Sequence, residues 1–411
     1  MESVCPAISV ALRVVIDAAH NDPSRPGEEA SLLTLADYER AARTAVGPEA
    51  LGYIEGGAGD EITLGDNVAA WTRIALRPRM LVGAAECDLG VTILGRQRAH
   101  PVLVAPTAFQ RLAHPDGEIG IARAAAATDT VMCISTLASA GAATVAAAVP
   151  DGTRWFQLYA FTDRGITGDL VSAAVEHGYE AVVVTVDRPV LGVRERELRG
   201  ALRGAGDDAA APDAIAAPGA VSAPAPQSSD SIAVPSAEGS APRGMRPADY
   251  SGLIDPDLRW SDIERLASEC PVPVLVKGIL TAEDAELAIA HGAAGVIVSN
   301  HGGRQLDTVL SGADALPPIA DAVAGRIDIL VDGGIRRGID VVKALALGAD
   351  AVLIGRPLTY GLAVNGAEGA QRVLQILLTE VENALALIGC PRASDLDRSF
   401  VTPAPWAVPA R

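Results

Sequence analysis

One structural unit recurs along this chain: a helical stretch, a tight turn, then a β-branched run that ends in polar residues. LVSAAVEHGYEAVVVTVD, AELAIAHGAAGVIVSN and VVKALALGADAVLIGR follow it, and IGIARAAAATDTVMCIST follows it with a different turn. In the first three a glycine, Gly178, Gly292 or Gly348, succeeds the helix, where a left-handed residue closes the last turn at least steric cost. Four more runs share the apolar character: PVLVAPT near 101, RWFQLYA near 154, VPVLVKG near 272 and IDILVDGG near 327. Their hydrophobicity is continuous rather than alternating, so both faces of each strand are covered, and the helices between them imply parallel crossovers. Eight such units predict a (β/α)8 TIM barrel, although the pattern alone also admits an open doubly wound sheet.

At 411 residues the chain accommodates a barrel of about 250 residues with extensions. Residues 1–30 read as an N-terminal extension, 31–397 as the barrel domain and 398–411 as a Pro-rich C-terminal tail. SLLTLADYERAARTAVGPEALGYIEGGAGDEITLGDNVAAW predicts two short helices around a Gly-rich turn, and AEGAQRVLQILLTEVENALALIG predicts an amphipathic closing helix. From Gly200 to Ser251 the chain is rich in Ala, Pro, Ser and Gly without apolar periodicity, which reads as a long mobile, disordered loop after the fourth strand. Its position fits either a lid over the barrel mouth or a tolerated insertion.

The composition narrows the partners. A formal net charge of −18 argues against nucleic acid or an anionic membrane, since phosphates would be repelled, and a small anion would need its own pocket of Arg and Lys. The cysteines Cys5, Cys87, Cys133, Cys270 and Cys390 have no paired spacing, so neither a zinc site nor a disulfide framework is expected, and reduced cytoplasmic thiols are the plain reading. The first twenty residues lack the basic start of a signal peptide, with Arg13 and Asp17 interrupting their apolar run. No window reaches the roughly 18 apolar residues that a membrane span requires.

In a barrel, function belongs at the C-terminal strand ends. Those ends carry Pro106, Thr107 and Ala108; Ser135; Gln157 and Tyr159; Thr185 and Asp187; Lys277; Ser299, His301 and Arg304; Asp332, Gly333, Gly334 and Arg336; and Gly355 with Arg356. DGGIRRG and IGRP, after the seventh and eighth strands, offer glycine-exposed N–H groups and two arginines suited to a phosphate; the alternative is turn glycines beside solvated arginines. Lys277 ends the buried run VLVKG, which fits a cation set against developing negative charge better than a solvated lysine. Of six histidines only His301 ends a buried strand, the others reading as cap, turn or loop residues. Asp187, two strands earlier, could orient its imidazole and stabilise the protonated form reached after base catalysis. No second His lies at ligand spacing, so no metal is expected. Arg304, three residues beyond His301, suits bidentate capture of a carboxylate beside the base.

SNHGGRQLD resembles the active-site signature of the FMN-dependent 2-hydroxy-acid oxidases and dehydrogenases, the family of glycolate, lactate and 4-hydroxymandelate oxidases. The likeness runs from about Leu33 to Leu396, apart from the 200–251 stretch, through YIEGGAGDE, RPRML, APTAF, AHPDGE, FQLY, TVDRPVLGVRERE, LVKGI, DGGIRRG, VKALALGA and IGRP. The resemblance implies FMN at the rim, in contact with Pro106, Thr107, Ala108, Ser135, Gln157, Thr185, Lys277 and Ser299. It implies a phosphate seat among Asp332, Gly333, Gly334, Arg336, Gly355 and Arg356. Substrate would meet Tyr53, Tyr159, Arg194, His301 and Arg304, with His301 as base, Asp187 supporting its imidazolium, and Arg304 with Tyr53 on the carboxylate. Tyr159 would bond the substrate oxygen, Arg194 would assist, and Lys277 would stabilise reduced flavin.

The activity implied is oxidation of an L-2-hydroxy acid to the 2-oxo acid, by hydride or carbanion transfer. Leu137 stands where glycolate oxidases carry tryptophan, which favours lactate, a longer aliphatic acid or a mandelate-type acid. Ala108 matches the oxidases and favours O2 as acceptor, giving H2O2, over a dehydrogenase or monooxygenase with another acceptor or product. The family also implies a homo-oligomer, a tetramer or octamer. Two other classes remain: a different FMN- or phosphate-binding barrel such as an isomerase, which would not need His301 with Arg304, and a non-catalytic scaffold, which would bind no flavin.

Overall fold

The computed structural model describes residues 32–204 and 252–407. Eight short strands, β1 (Val102–Val104), β2 (Met132–Ser135), β3 (Arg154–Leu158), β4 (Val182–Thr185), β5 (Val274–Ile279), β6 (Gly295–Val298), β7 (Asp328–Asp332) and β8 (Ala351–Ile354), close into one barrel in that order. Every neighbouring pair is parallel, including β8 with β1, so the open-sheet alternative is excluded. The strands are almost wholly buried, as their continuous Val, Ile and Leu content requires once helices cover the outside.

The crossover helices are α4 (Gly117–Ala127), α5 (Ala142–Ala148), α6 (Arg164–Glu176), α7 (Glu195–Gly204) with α8 (Trp260–Glu269), α9 (Ala282–Ala290), α10 (Gly312–Val323) and α11 (Gly338–Ala346). Before them come α1 (Leu35–Ala45), α2 (Pro48–Glu55) and α3 (Ile62–Thr72), and α12 (Arg356–Ile388) follows β8.

The recurring turn has one hydrogen-bond pattern. Gly178 (φ 74), Gly292 (φ 78) and Gly348 (φ 110) each donate to the carbonyl three residues back, and the next residue donates five back, closing the helix in a Schellman turn. The fourth unit makes the same two bonds with Asp129 (φ 52) in the left-handed position, so its turn differs in residue rather than in geometry.

One expectation is corrected. The N-terminal segment forms three helices, because Gly47–Pro48 ends the first and starts a second before the Gly-rich turn. The closing helix is present as expected up to Ile388, and a separate helical stretch from Arg356 precedes it, the two divided at Asn365 and Gly366, where the backbone leaves helical geometry. Within the Pro-rich tail, Val401–Pro403 pairs antiparallel with Ile74–Leu76. Of the 200–251 stretch, residues 200–204 complete α7; the rest, like the extension 1–30, lies outside the described residues.

Candidate active site

β6 runs straight into a left-handed turn, with His301 itself at φ 60. That turn lifts the imidazole over the barrel mouth and lets its backbone N–H donate to Ser299 Oγ at 3.1 Å. Nδ1 lies 2.8 Å from Asp187 Oδ1, which leaves Nε2 as the ring nitrogen for a ligand. Burial pushes the His301 pKa below its ordinary value against the pull of Asp187, so the ring is neutral at neutral pH. For Asp187, burial works upward but is outweighed by His301 and by the Lys277 ammonium, and its pKa stays low.

A distortion in β5 makes this pair possible. The β5–β6 register shifts between Lys277 and Ile279, and Gly278 sits at φ 113. A Cβ on Gly278 would lie 2.7 Å from the Asp187 Cβ and 2.9 Å from its backbone nitrogen. The bulge therefore opens the space into which Asp187 packs, a common use of bulges beside functional sites.

Lys277, just before the bulge, is buried, with Nζ 2.6 Å from Ser299 Oγ and 2.9 Å from Asp332 Oδ2. Burial alone would lower its pKa, but Asp332 and Asp187 outweigh that and raise it, so the ammonium is retained. Across the floor, Gln157 Oε1 accepts from Ser135 Oγ at 3.1 Å and from the Thr136 N–H at 3.3 Å. The Gln157 Nε2 amide is thereby turned outward, buried and without a partner, and Asp332 Oδ1 is left in the same state. Both residues line the cavity, so these groups suit a ligand that presents an acceptor and a hydroxyl.

A second layer comes from N-terminal segments and the β4 loop. Arg304 Nη1 donates to the carbonyls of Tyr53 (2.7 Å) and Gly56 (2.8 Å), and Nη2 to Glu197 Oε1 (2.9 Å). Its guanidinium carbon lies 4.8 Å from the centre of the Tyr53 ring. Arg194 Nη1 reaches the same Glu197 oxygen at 3.3 Å. Burial, with the neighbouring Arg304 charge, brings Arg194 down to about 10. Arg356 binds the carbonyls of Ile54 (2.9 Å), Gly302 (2.9 Å) and Gly56 (3.1 Å), and burial lowers it to about 9.

One cavity unites nearly all the residues singled out in the sequence. Tyr53, Pro106, Thr107, Ala108, Ser135, Gln157, Tyr159, Thr185, Arg194, Lys277, His301 and Arg304 line it, as do Asp332, Gly333, Gly334, Arg336, Gly355 and Arg356. Asp187 and Ser299 do not. Asp187 stands behind His301, bonded to its Nδ1, while Ser299 is fully buried, its Oγ accepting from Lys277 Nζ and from the His301 N–H. The Asp332 carboxylate is paired to Lys277, and Arg336 and Arg356 line the same cavity.

Sequence reasoning missed Glu197, Arg188 and part of the apolar wall. Arg188 stacks its guanidinium 4.8 Å from the centre of the Tyr159 ring. Phe109, Leu112 and Leu191 join Leu137 on the apolar side, with Phe109 edge-on to Tyr53 at 5.7 Å. A signal for Glu197 was present, since it follows Arg194 by three residues, which on a helix is the same face.

Residues 42–403 match the family model described as FMN-dependent dehydrogenase. Among curated proteins, an L-lactate oxidase from Nostoc is 44% identical over 90% of this chain and 98% of its own length. The human 2-hydroxyacid oxidase 1 is 40% identical over 92% and 98%. Among solved structures, a mandelate oxidase with (S)-4-hydroxymandelic acid superposes with a TM-score of 0.76 at 37% identity, over 90% of this chain and 98% of that one.

Proposed function

The chain belongs to the FMN-dependent dehydrogenase family, and from that premise we propose that it oxidises an L-2-hydroxy acid to the 2-oxo acid, passing two electrons through FMN to O2 and yielding H2O2. The observation that carries this reading is the Asp187–His301 pair facing the same cavity as Arg304: a neutral base beside a carboxylate clamp.

The residues present fit the cofactor. Gln157 Nε2 and Asp332 Oδ1 are buried polar atoms without a partner in residues that line the site, and they would suit the ring edge and a hydroxyl of the ribityl chain. The Gly333–Gly334 turn with Arg336, Gly355 and Arg356 would hold the phosphate, and Pro106, Thr107, Ala108, Ser135 and Thr185 would flank the ring. FMN supplies the two-electron oxidant and the route to O2.

This chain supplies position and proton handling. Arg304, steadied by Tyr53 and Gly56, holds the substrate carboxylate, and Arg194 adds positive charge beside it. Tyr159 bonds the substrate oxygen. His301 Nε2 accepts the proton, and Asp187 on Nδ1 stabilises the imidazolium that results. The Lys277 ammonium stands ready for negative charge on the reduced ring, in a buried setting where such a charge counts for more than in water.

Phe109, Leu112, Leu137 and Leu191 make an apolar seat for the rest of the substrate, which supports lactate, a longer aliphatic or a mandelate-type acid. The described cysteines are unpaired, which supports a reducing, cytoplasmic setting, and no described helix is long and apolar enough to cross a membrane. The family resemblance supports a homo-oligomer, which light scattering would test.

Purified protein should be yellow and should bleach on anaerobic addition of an L-2-hydroxy acid, then recolour with O2. A panel of glycolate, lactate, 2-hydroxyoctanoate, mandelate and 4-hydroxymandelate would identify the substrate. His301→Gln should keep FMN but bleach at least about 100-fold more slowly; an unchanged rate would remove His301 from the base role.

A further inference from the structure

Glu197 is only 5% exposed, yet its carboxylate lines the active-site cavity among cations. One of its oxygens, Oε1, receives both Arg304 Nη2 and Arg194 Nη1. A guanidinium has five N–H donors in a rigid plane. In Arg304, both Nη1 donors are taken by the carbonyls of Tyr53 and Gly56, and one Nη2 donor by Glu197. What remains is one N–H on Nη2 and the N–H on Nε. The N–H of Nε and an N–H of Nη2 are together the fork that meets a carboxylate bidentately. Without Glu197 the Nη2 group would have no protein partner to choose its edge.

We propose that Glu197 is a positioning residue for the reaction: by taking one Nη2 donor of Arg304 and tying it to Arg194, it leaves only the Nε edge of Arg304 free for the substrate carboxylate. The inference rests on the 2-hydroxy-acid reading for the identity of that carboxylate. Its place is set by α7, since Glu197 lies one turn after Arg194. The second tie, Arg194 Nε to the Arg304 backbone carbonyl at 3.0 Å, holds the same two segments together.

The test is equilibrium titration of the oxidised holoenzyme with pyruvate and with pyruvamide, which differ in the carboxylate alone, read by the FMN absorption spectrum. Glu197→Ala should weaken pyruvate about tenfold while leaving pyruvamide and FMN affinity within about twofold, because one charge-assisted contact is misaimed. Equal losses for both ligands, or no loss for either, would overturn the proposal. Two conservative variants keep it testable if Glu197→Ala folds poorly. Glu197→Gln retains an acceptor oxygen at the same reach and should keep the preference for pyruvate; Glu197→Asp retains the charge, is one methylene shorter, and should lose it. The opposite order would mean that charge rather than placement matters. Reduction of the wild-type flavin by L-2-hydroxy acids is followed separately: if none reduces it, the functional reading fails while the effect of Glu197 on anion binding stands.

Discussion

At His301 burial and Asp187 pull the imidazole in opposite directions, and burial wins. A base must be neutral to accept a proton, so kcat/KM should be flat around neutrality and fall as pH drops through a value below about 6.5. Removing the anion by Asp187→Asn should move that acid limb to still lower pH, because the imidazolium loses the group that favours it, and should slow flavin reduction at least about 100-fold. Stopped-flow reduction across pH 5 to 8 measures both; a limb that shifts upward would show that Asp187 does not stabilise the charged ring. His301 was legible in the sequence because a histidine ending a buried strand had no structural duty there. The partnership of Asp332 with Lys277 was not, since a carboxylate at a strand end carries no mark of which cation lies across the barrel.

Among the elements, the helix-closing turns were the most legible, and they can be tested against one another. A Cβ on Gly178 would meet nothing within 4 Å, so the cost of Gly178→Ala is conformational alone, about 1 kcal/mol for an ordinary residue held left-handed. Asp129 already occupies the same geometry at φ 52, and Asp tolerates it, so Asp129→Gly should change stability by less than about half that amount. Urea unfolding of both variants would decide, and equal losses would show that the shared turn does not govern either. The N-terminal helices were read less well. A Gly-Pro pair between two short helical patterns gives no periodicity to count, and only the left-handed entry into α3 at Glu61 and the cap at Gly47 separate them in space.

For the molecule as a whole, parallel strands explain why the residues picked out at the strand ends line one cavity: once eight strands point one way, residues scattered from 106 to 356 share one rim. Side-chain pairings across that rim, such as Glu197 with Arg304, depend on loop paths and were not foreseen. A cavity lined by Gln157, whose amide nitrogen has no partner, and by Arg336 and Arg356 should be stabilised by its cofactor. FMN at a hundredfold excess over its dissociation constant should add about 2.7 kcal/mol and raise the Tm of the apoprotein, which a thermal melt with added FMN would show; an unchanged melt would argue that the cofactor site is not formed.

Arg356 gives these parts an order in time. It opens the helix after the last barrel strand, yet it holds the carbonyl of Ile54, a residue 302 positions earlier, and that of Gly302 beside His301. A ribosome must therefore release nearly the entire barrel before this clasp can close, and a nascent chain that stops short of residue 356 lacks one of the ties, beside those of Arg304, between the His301 turn and the N-terminal helices.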